Sequence, residues 1–201
     1  MNLREYVHML GRRWRIIASV LLCILGINLI ITLRADPVYQ SQTRLFVSTP
    51  DLILTDPLQA GSFAIQRVST YVDLANDDEL ASRVVGQLRL KVSSSSFAAR
   101  ITAVAVPETV ILVISATDSD PRVAQEYSQI TAQQLIEYVE EIESPEGKQK
   151  PAVKVAIVTP AELPSSPISP RPVRNFGLAL LVGLLLGVGA ANVWEQLVPR
   201  P

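Results

Sequence analysis

Two uncharged runs frame the chain. Ile16 to Leu33 (IIASVLLCILGINLIITL) and Phe176 to Val193 (FGLALLVGLLLGVGAANV) are each eighteen residues without a charge. A hydrocarbon core about 30 Å thick needs roughly 20 apolar helical residues. With Trp14 and a snorkelling Arg15 leading the first run, and Trp194 closing the second, both predict membrane-spanning helices, over 14–33 and 176–194.

Between the runs the pattern changes to that of a soluble domain. In YQSQTRLFVS, Tyr39, Ser41, Thr43, Leu45 and Val47 alternate with Gln40, Gln42, Arg44, Phe46 and Ser48, which predicts a strand. Residues 49–61 carry Pro50, Pro57 and Gly61 and predict a loop. Phe63, Ile65, Val68, Tyr71, Val72 and Leu74 then recur at helical spacing. A second helix follows, with Asp77 or Asp78 as N-cap and Leu80, Val84, Val85 and Leu88 as its stripe. Ser93–Ser96 offers a cap to a short third helix.

ITAVAV and TVILVISATD predict two strands split at Pro107-Glu108. The continuous VILVI fits a central strand covered on both faces, or one in a subunit interface. Asp120-Pro121 opens a helix to about Glu143, its apolar stripe Val123, Tyr127, Ile130, Leu135, Tyr138, Val139 and Ile142, with Glu137, Glu140 and Glu141 in water. SPEGKQKP predicts a turn, and PAVKVAIVTPA a last strand with Val153, Val155 and Ile157 on one face. The fold class is therefore α+β: a sheet-and-helix domain over 34–160, tethered at both ends to a span.

Charge decides the orientation. Arg4, Arg12, Arg13 and Arg15 outweigh Glu5 near the N-terminus, which places residues 1–13 in the cytoplasm. Two spans return the tail 195–201 to the same side and leave 34–175 outside the cell membrane. Arg171 and Arg174 flank the second span on the outer side, but long loops cross largely regardless of charge. The first apolar run is longer than a signal-peptide core, and TLRADP lacks a small-residue cleavage pattern, so it predicts an uncleaved anchor. A net charge of -1, with no basic stripe, gives no footprint for nucleic acid.

Little in the chain points to catalysis. Its single histidine, His8, lies in the N-terminal tail, and its single cysteine, Cys23, lies mid-span, so no standard zinc set or histidine-activated nucleophile can assemble. No phosphate-cradling G-x-x-x-x-G-K-[ST] occurs. Asp77-Asp78-Glu79 and Asp118/Asp120 stand at predicted helix starts, where acids favour the positive end of the helix dipole. No catalytic residue, metal site or cofactor is expected. The second span carries Gly183-x-x-x-Gly187, continued by Ala191, a stripe of small residues on which another helix can approach closely. Asn28 in the first span is a further packing candidate, because an amide in lipid seeks a partner. These features expect the spans to pack with each other or with another subunit.

One stretch remains. AELPSSPISPRPVRN, just before the second span, places Ala161, Pro164, Pro167, Pro170, Pro172 and Asn175 at near-regular spacing. Spaced prolines favour an extended polyproline-like path and predict a semi-rigid strut over 161–175. This motif, the basic tail and span followed at once by YQSQTRLFV, and the glycine-rich second span together resemble the Wzz-type chain-length determinants, or polysaccharide co-polymerases. QRVSTYVDLA and PETVILVISATDSDPRVAQ look most like the actinobacterial branch, whose membrane module often precedes a bacterial tyrosine kinase.

The resemblance covers nearly the whole chain. It implies an oligomeric ring of two-span, non-catalytic subunits that works with a polysaccharide polymerase or export system and sets how long a capsule or exopolysaccharide grows. The outer part is too short for the tall helical protrusion of long-chain regulators, so a height-based ruler is not expected. Since EQLVPRP ends the sequence, a kinase would lie on a separate chain or beyond this end. Two alternatives stand beside this reading: a transmembrane anchor and activator of a tyrosine kinase, and an extracytoplasmic sensor of a small ligand.

Overall fold

The computed structural model describes residues 14–48, 57–144 and 153–197. The chain divides into two compact units, one made of Met1–Pro37 with Ser169–Pro201, the other of Val38–Ile168.

The first unit is a pair of helices, α1 (Trp14–Arg34) and α6 (Pro172–Leu197). Both are long and apolar enough to cross a membrane, the second over Pro172–Val193. α6 starts four residues before the expected Phe176. Pro172 sits at its start, where a missing N–H costs no helical hydrogen bond and φ is already helical.

The second unit is a four-stranded antiparallel sheet with helices on one face. In chain order it holds β1 (Tyr39–Ser48), α2 (Pro57–Ala75), α3 (Asp78–Leu88), α4 (Ser94–Ala98), β2 (Ile101–Ala105), β3 (Ile111–Asp118), α5 (Pro121–Glu143) and β4 (Lys154–Thr159). The strand order is β2-β3-β1-β4, so β1 and β3 are interior. β1 runs against β3 over eight residue pairs, from Tyr39 opposite Asp118 to Phe46 opposite Ile111.

The alternation in β1 appears directly as burial. Ser41, Thr43, Leu45 and Val47 are buried, while Gln42, Arg44 and Phe46 are exposed. Leu45 and Val47 join Leu112 and Ile114 of β3, Val68 and Tyr71 of α2, Leu80 and Val84 of α3, and Leu135 and Val139 of α5 in one core. Each such side chain removed from water contributes about 1.5–3 kcal/mol. Phe97 of α4 meets Tyr127 of α5 edge to face, with ring centroids 5.1 Å apart. Across the buried layer, the Ser128 hydroxyl donates to the carbonyl of Ile114 at 3.1 Å. Thr43, 2.8 Å from Ser128, must then donate to it, so both hydroxyls are satisfied without water.

Several expectations need correction. α2 begins at Pro57, inside the stretch read as a loop. Its buried row is Ala64, Val68, Tyr71 and Ala75, and Ile65 is exposed, because position 65 lies off that row. Ile142 is likewise exposed, in the last turn of α5. Asp77 occupies the N-cap of α3 but its carboxylate makes no capping bond, whereas Ser93 accepts from Ser96 N–H and Asp120 from Arg122 N–H. In β3, five consecutive residues are buried, but only Leu112, Ile114 and Ala116 face the helices. Val113 and Ser115 lie on the other face, flanked across the strands by Arg44 and Val104 and by Gln42 and Thr102. On that face Phe46 and Val104 remain 41% and 47% exposed. The expected loop over 49–56 and turn over 145–152 lie outside the described residues.

The sheet edge at β2 is closed by one side chain. Asn76, just after α2, donates through Nδ2 to the carbonyl of Ala103 at 3.1 Å and accepts at Oδ1 from Ala103 N–H at 3.0 Å. The carboxamide thus meets the strand as a further strand's backbone would, which blunts an edge otherwise open to pairing.

Candidate functional site

The proline-rich segment does not stand free as a single strut. Its first half belongs to the sheet-and-helix unit, and Pro170, Pro172 and Asn175 belong to the helix pair. Ala161 is buried, and α5 grips it from both sides: Gln129 Oε1 accepts from its N–H at 3.0 Å, and Gln125 Nε2 donates to its carbonyl at 2.8 Å. The Ser41 hydroxyl of β1 donates to the carbonyl of Glu162 at 2.7 Å. Farther along, Ile168 N–H donates to Val38 O at 2.8 Å. Residues 161–168 are therefore laid along β1 from near Arg44 back to Val38. Spaced prolines suit this, since they keep the chain extended without asking for the ladder bonds of a fifth strand.

β4 pairs with β1 only from Ser48 to Arg44, and the register shifts between Arg44 and Leu45. Past that shift, β1 and the segment part enough to leave an opening of about 440 Å³. Gln40, Gln42, Arg44, Thr159, Glu162 and Pro164 line it. Of the proline motif, Pro164 lines the opening, Ala161 is buried and Pro167 is exposed.

In the helix pair, the small-residue stripe of α6 faces α1 of the same chain. A Cβ on Gly187 would lie 3.1–3.2 Å from Cγ2, Cα and O of Ile17, and one on Gly183 would lie 2.6 Å from Cδ1 of Leu21. Ala191 and, four residues before Gly183, Ala179 are buried on the same row. Ala179 was missed in the sequence, although the four-residue spacing already points to it. Asn28 does not touch this stripe's glycines. It borders a hollow of about 320 Å³ with Asn175 and Ala179, and neither its Oδ1 nor Thr32 Oγ1 has a hydrogen-bond partner. Of the basic residues expected to set topology, Arg15 lies in the first turn of α1, while Arg4, Arg12 and Arg13 lie outside the described residues.

Several other charges are held in ion pairs within the domain. Arg83 bonds Glu79 and Glu141 at 3.2 and 2.8 Å and lies over the Tyr138 ring. Arg100 pairs with Asp118 at 2.7 Å, and Asp118 in turn accepts from Asp120 N–H. Tyr71 donates to Glu143 at 3.0 Å, with Arg67 3.5 Å from the same carboxylate oxygen. Burial first, then the bond to Glu143 and its charge, raise the Tyr71 pKa well above its ordinary value, against a smaller opposing effect of Arg67. Glu79 and Asp118 are thus engaged in ion pairs and Asp120 in a helix cap, while the Asp77 carboxylate makes no capping bond.

Comparison with known proteins accords with this architecture. Residues 1–88 match the family described as Wzz, chain length determinant protein. Over 164 residues the chain is 26% identical to the capsular polysaccharide biosynthesis protein CpsC of Streptococcus agalactiae, covering 78% of this chain. The CpsC protein of a serotype Ia strain of the same species matches equally. The chain spans 64% of the length of these curated relatives. Among solved structures, a full-length bacterial polysaccharide co-polymerase superposes with a TM-score of 0.55 at 11% identity, over 98% of each chain. Residues 1–88 thus match the Wzz chain length determinant family, and the chain as a whole shares its fold with a solved polysaccharide co-polymerase.

Proposed function

We propose that this protein is a non-catalytic polysaccharide co-polymerase that regulates the chain length, the export, or both, of a cell-surface polysaccharide. The observation that carries the reading is the Wzz match over the first span, β1 and the first two helices of the outer unit, joined to a second apolar helix that closes the fold. The protein sits in the plasma membrane with both termini in the cytoplasm, a reading the arginines at 4, 12, 13 and 15 support, and with the sheet-and-helix unit outside.

It acts as a homo-oligomer beside a polymerase or export system. The glycine stripe is occupied by the chain's own first span. Contact with a neighbouring subunit falls instead to other surfaces of the two spans, among them the exposed apolar residues Leu22, Ile31, Leu181 and Leu185. The subunit contributes no chemistry of its own; it positions polymer and polymerase.

Deleting the gene and sizing the surface polysaccharide on gels tests this. The expected result is a changed length distribution or amount, restored by the wild-type chain. An unchanged distribution and amount would refute it. The kinase-anchor alternative predicts something different: autophosphorylation of a co-expressed tyrosine kinase would rise with this chain present.

A further inference from the structure

The two stretches of sequence that most distinguish the chain, the strand after the first span and the proline motif before the second, line one opening. Its walls are joined at the Ser41–Glu162 hydrogen bond, and polar side chains border the space beside it. Arg44 and Glu162 are oppositely charged and border the same space, yet no ion pair joins them among the described residues. Gln40 and Gln42 add two carboxamides, each a donor and an acceptor, Thr159 adds a hydroxyl, and Pro164 adds an apolar surface. The frame is rigid, because Gln125, Gln129, Ser41 and Val38 hold the segment at 161, 162 and 168.

Several ligand classes do not suit this chemistry. One guanidinium gives no track for a phosphate backbone. One carboxylate is too few for a divalent cation. A peptide cannot add as a strand where residues 161–168 already lie along β1. A saccharide does suit it. Vicinal ring hydroxyls donate and accept in pairs, as planar amide and carboxylate groups do, and a sugar's C–H face lies against a proline ring. About 440 Å³ is within the range of small-ligand sites and accommodates a short stretch of polymer rather than a whole chain.

We propose that this cleft binds an acidic segment of the polysaccharide, with a sugar carboxylate on Arg44 and ring hydroxyls on Gln40, Gln42 and Glu162. The inference rests on the polysaccharide reading above and gives it a contact point. A cleft that holds the polymer weakly on the outer unit would keep the growing chain beside the assembly and so bias when elongation stops.

The test uses the full chain in detergent micelles with two probes, tetragalacturonate and a neutral galactose tetramer, followed by saturation-transfer NMR and calorimetry. Tetragalacturonate is expected to bind more tightly than the neutral tetramer. Arg44→Ala should weaken it about tenfold, because a charge-assisted fork is lost, and Arg44→Lys less so. Gln42→Ala, an exposed change that spares the core, should weaken both probes. Failure of both probes to bind, or binding indifferent to Arg44→Ala and Gln42→Ala, overturns the cleft. A drop in oligomer mass on Arg44→Ala also overturns it, since the opening would then be a subunit contact. The two readings fail separately. If the wild-type chain restores polymer length in a deletion strain and Arg44→Ala restores it equally, the cleft falls and the chain-length reading stands. If the wild-type chain changes nothing, the chain-length reading falls.

Discussion

Adding one methyl group to α6 at either of two glycines tests how the membrane helices are held together. By distance alone Gly183→Ala looks worse, since its new Cβ would fall 2.6 Å from Leu21 Cδ1. That atom is the tip of a flexible side chain, and the nearest backbone atom, Leu21 Cα, is 3.5 Å away. A rotamer change relieves the contact. At Gly187 the new Cβ would sit 3.2 Å from both Cα and O of Ile17, and backbone cannot rotate away. The helices must instead move apart by a few tenths of an ångström, which loosens packing along the whole row from Ala179 to Ala191.

Overpacking of this kind costs about 1–3 kcal/mol. Gly187→Ala should fall in that range and Gly183→Ala below it, at roughly 0.5 kcal/mol for an off-ideal rotamer. Spin labels at the lipid-exposed Leu22 and Leu185 would report the helix separation, and an SDS titration of the same labelled protein would give the midpoint at which the pair dissociates. The expected order is wild type, Gly183→Ala, then Gly187→Ala. An equal loss at both positions, or the reverse order, would refute the claim that backbone contact at Ile17 fixes the pair.

Two further predictions concern the sheet-and-helix unit. Asn76→Ala leaves the N–H and the carbonyl of buried Ala103 without their side-chain partners, at about 1–3 kcal/mol. Hydrogen exchange should then accelerate at Ala103 and its β2 neighbours but not in β1; unchanged protection would show that Asn76 does not guard the edge. Tyr71 has its pKa raised from 10.0 by burial and Glu143, so its neutral form is favoured by folding. That stability is fully present below pH 10 and is lost as pH climbs above it. Tyr71→Phe should cost about 1 kcal/mol at pH 8 through the lost hydrogen bond. It should also remove part of the alkaline destabilisation, so that a thermal midpoint falling equally in both proteins between pH 8 and pH 11 counts against this.

The elements were legible where one physical rule dominates. The period-two alternation of β1 needs only one buried face, and the uncharged length of each span needs only the thickness of hydrocarbon. Legibility declined where two rules compete. Pro57 and Gly61 carry turn signals, yet Pro57 also fits a helix start, and α2 begins there. The stripe in α2 was blurred because Ala64, too small to count as a hydrophobic marker, takes the inward position in place of Ile65.

The candidate site was the least legible part. Its existence depends on a hydroxyl at Ser41 reaching a carbonyl 121 residues away, and on a register shift at Arg44 that no periodicity announces. Likewise, Gly183 and Gly187 announce a close neighbour, but not that the neighbour is Ile17 and Leu21 of the same chain.

The hydrogen bond between Ile168 and Val38 has a consequence for how such a protein can change over evolutionary time. It joins the first and last residues of the sheet-and-helix unit at 2.8 Å, so the unit begins and ends at one place. A domain whose entrance and exit coincide behaves as a cassette: it can be enlarged, trimmed or exchanged at its far loops while its anchorage stays fixed. Its size can therefore change at those loops without altering how it is fastened, and the fastening itself, β1 against the proline segment, is the part least free to vary.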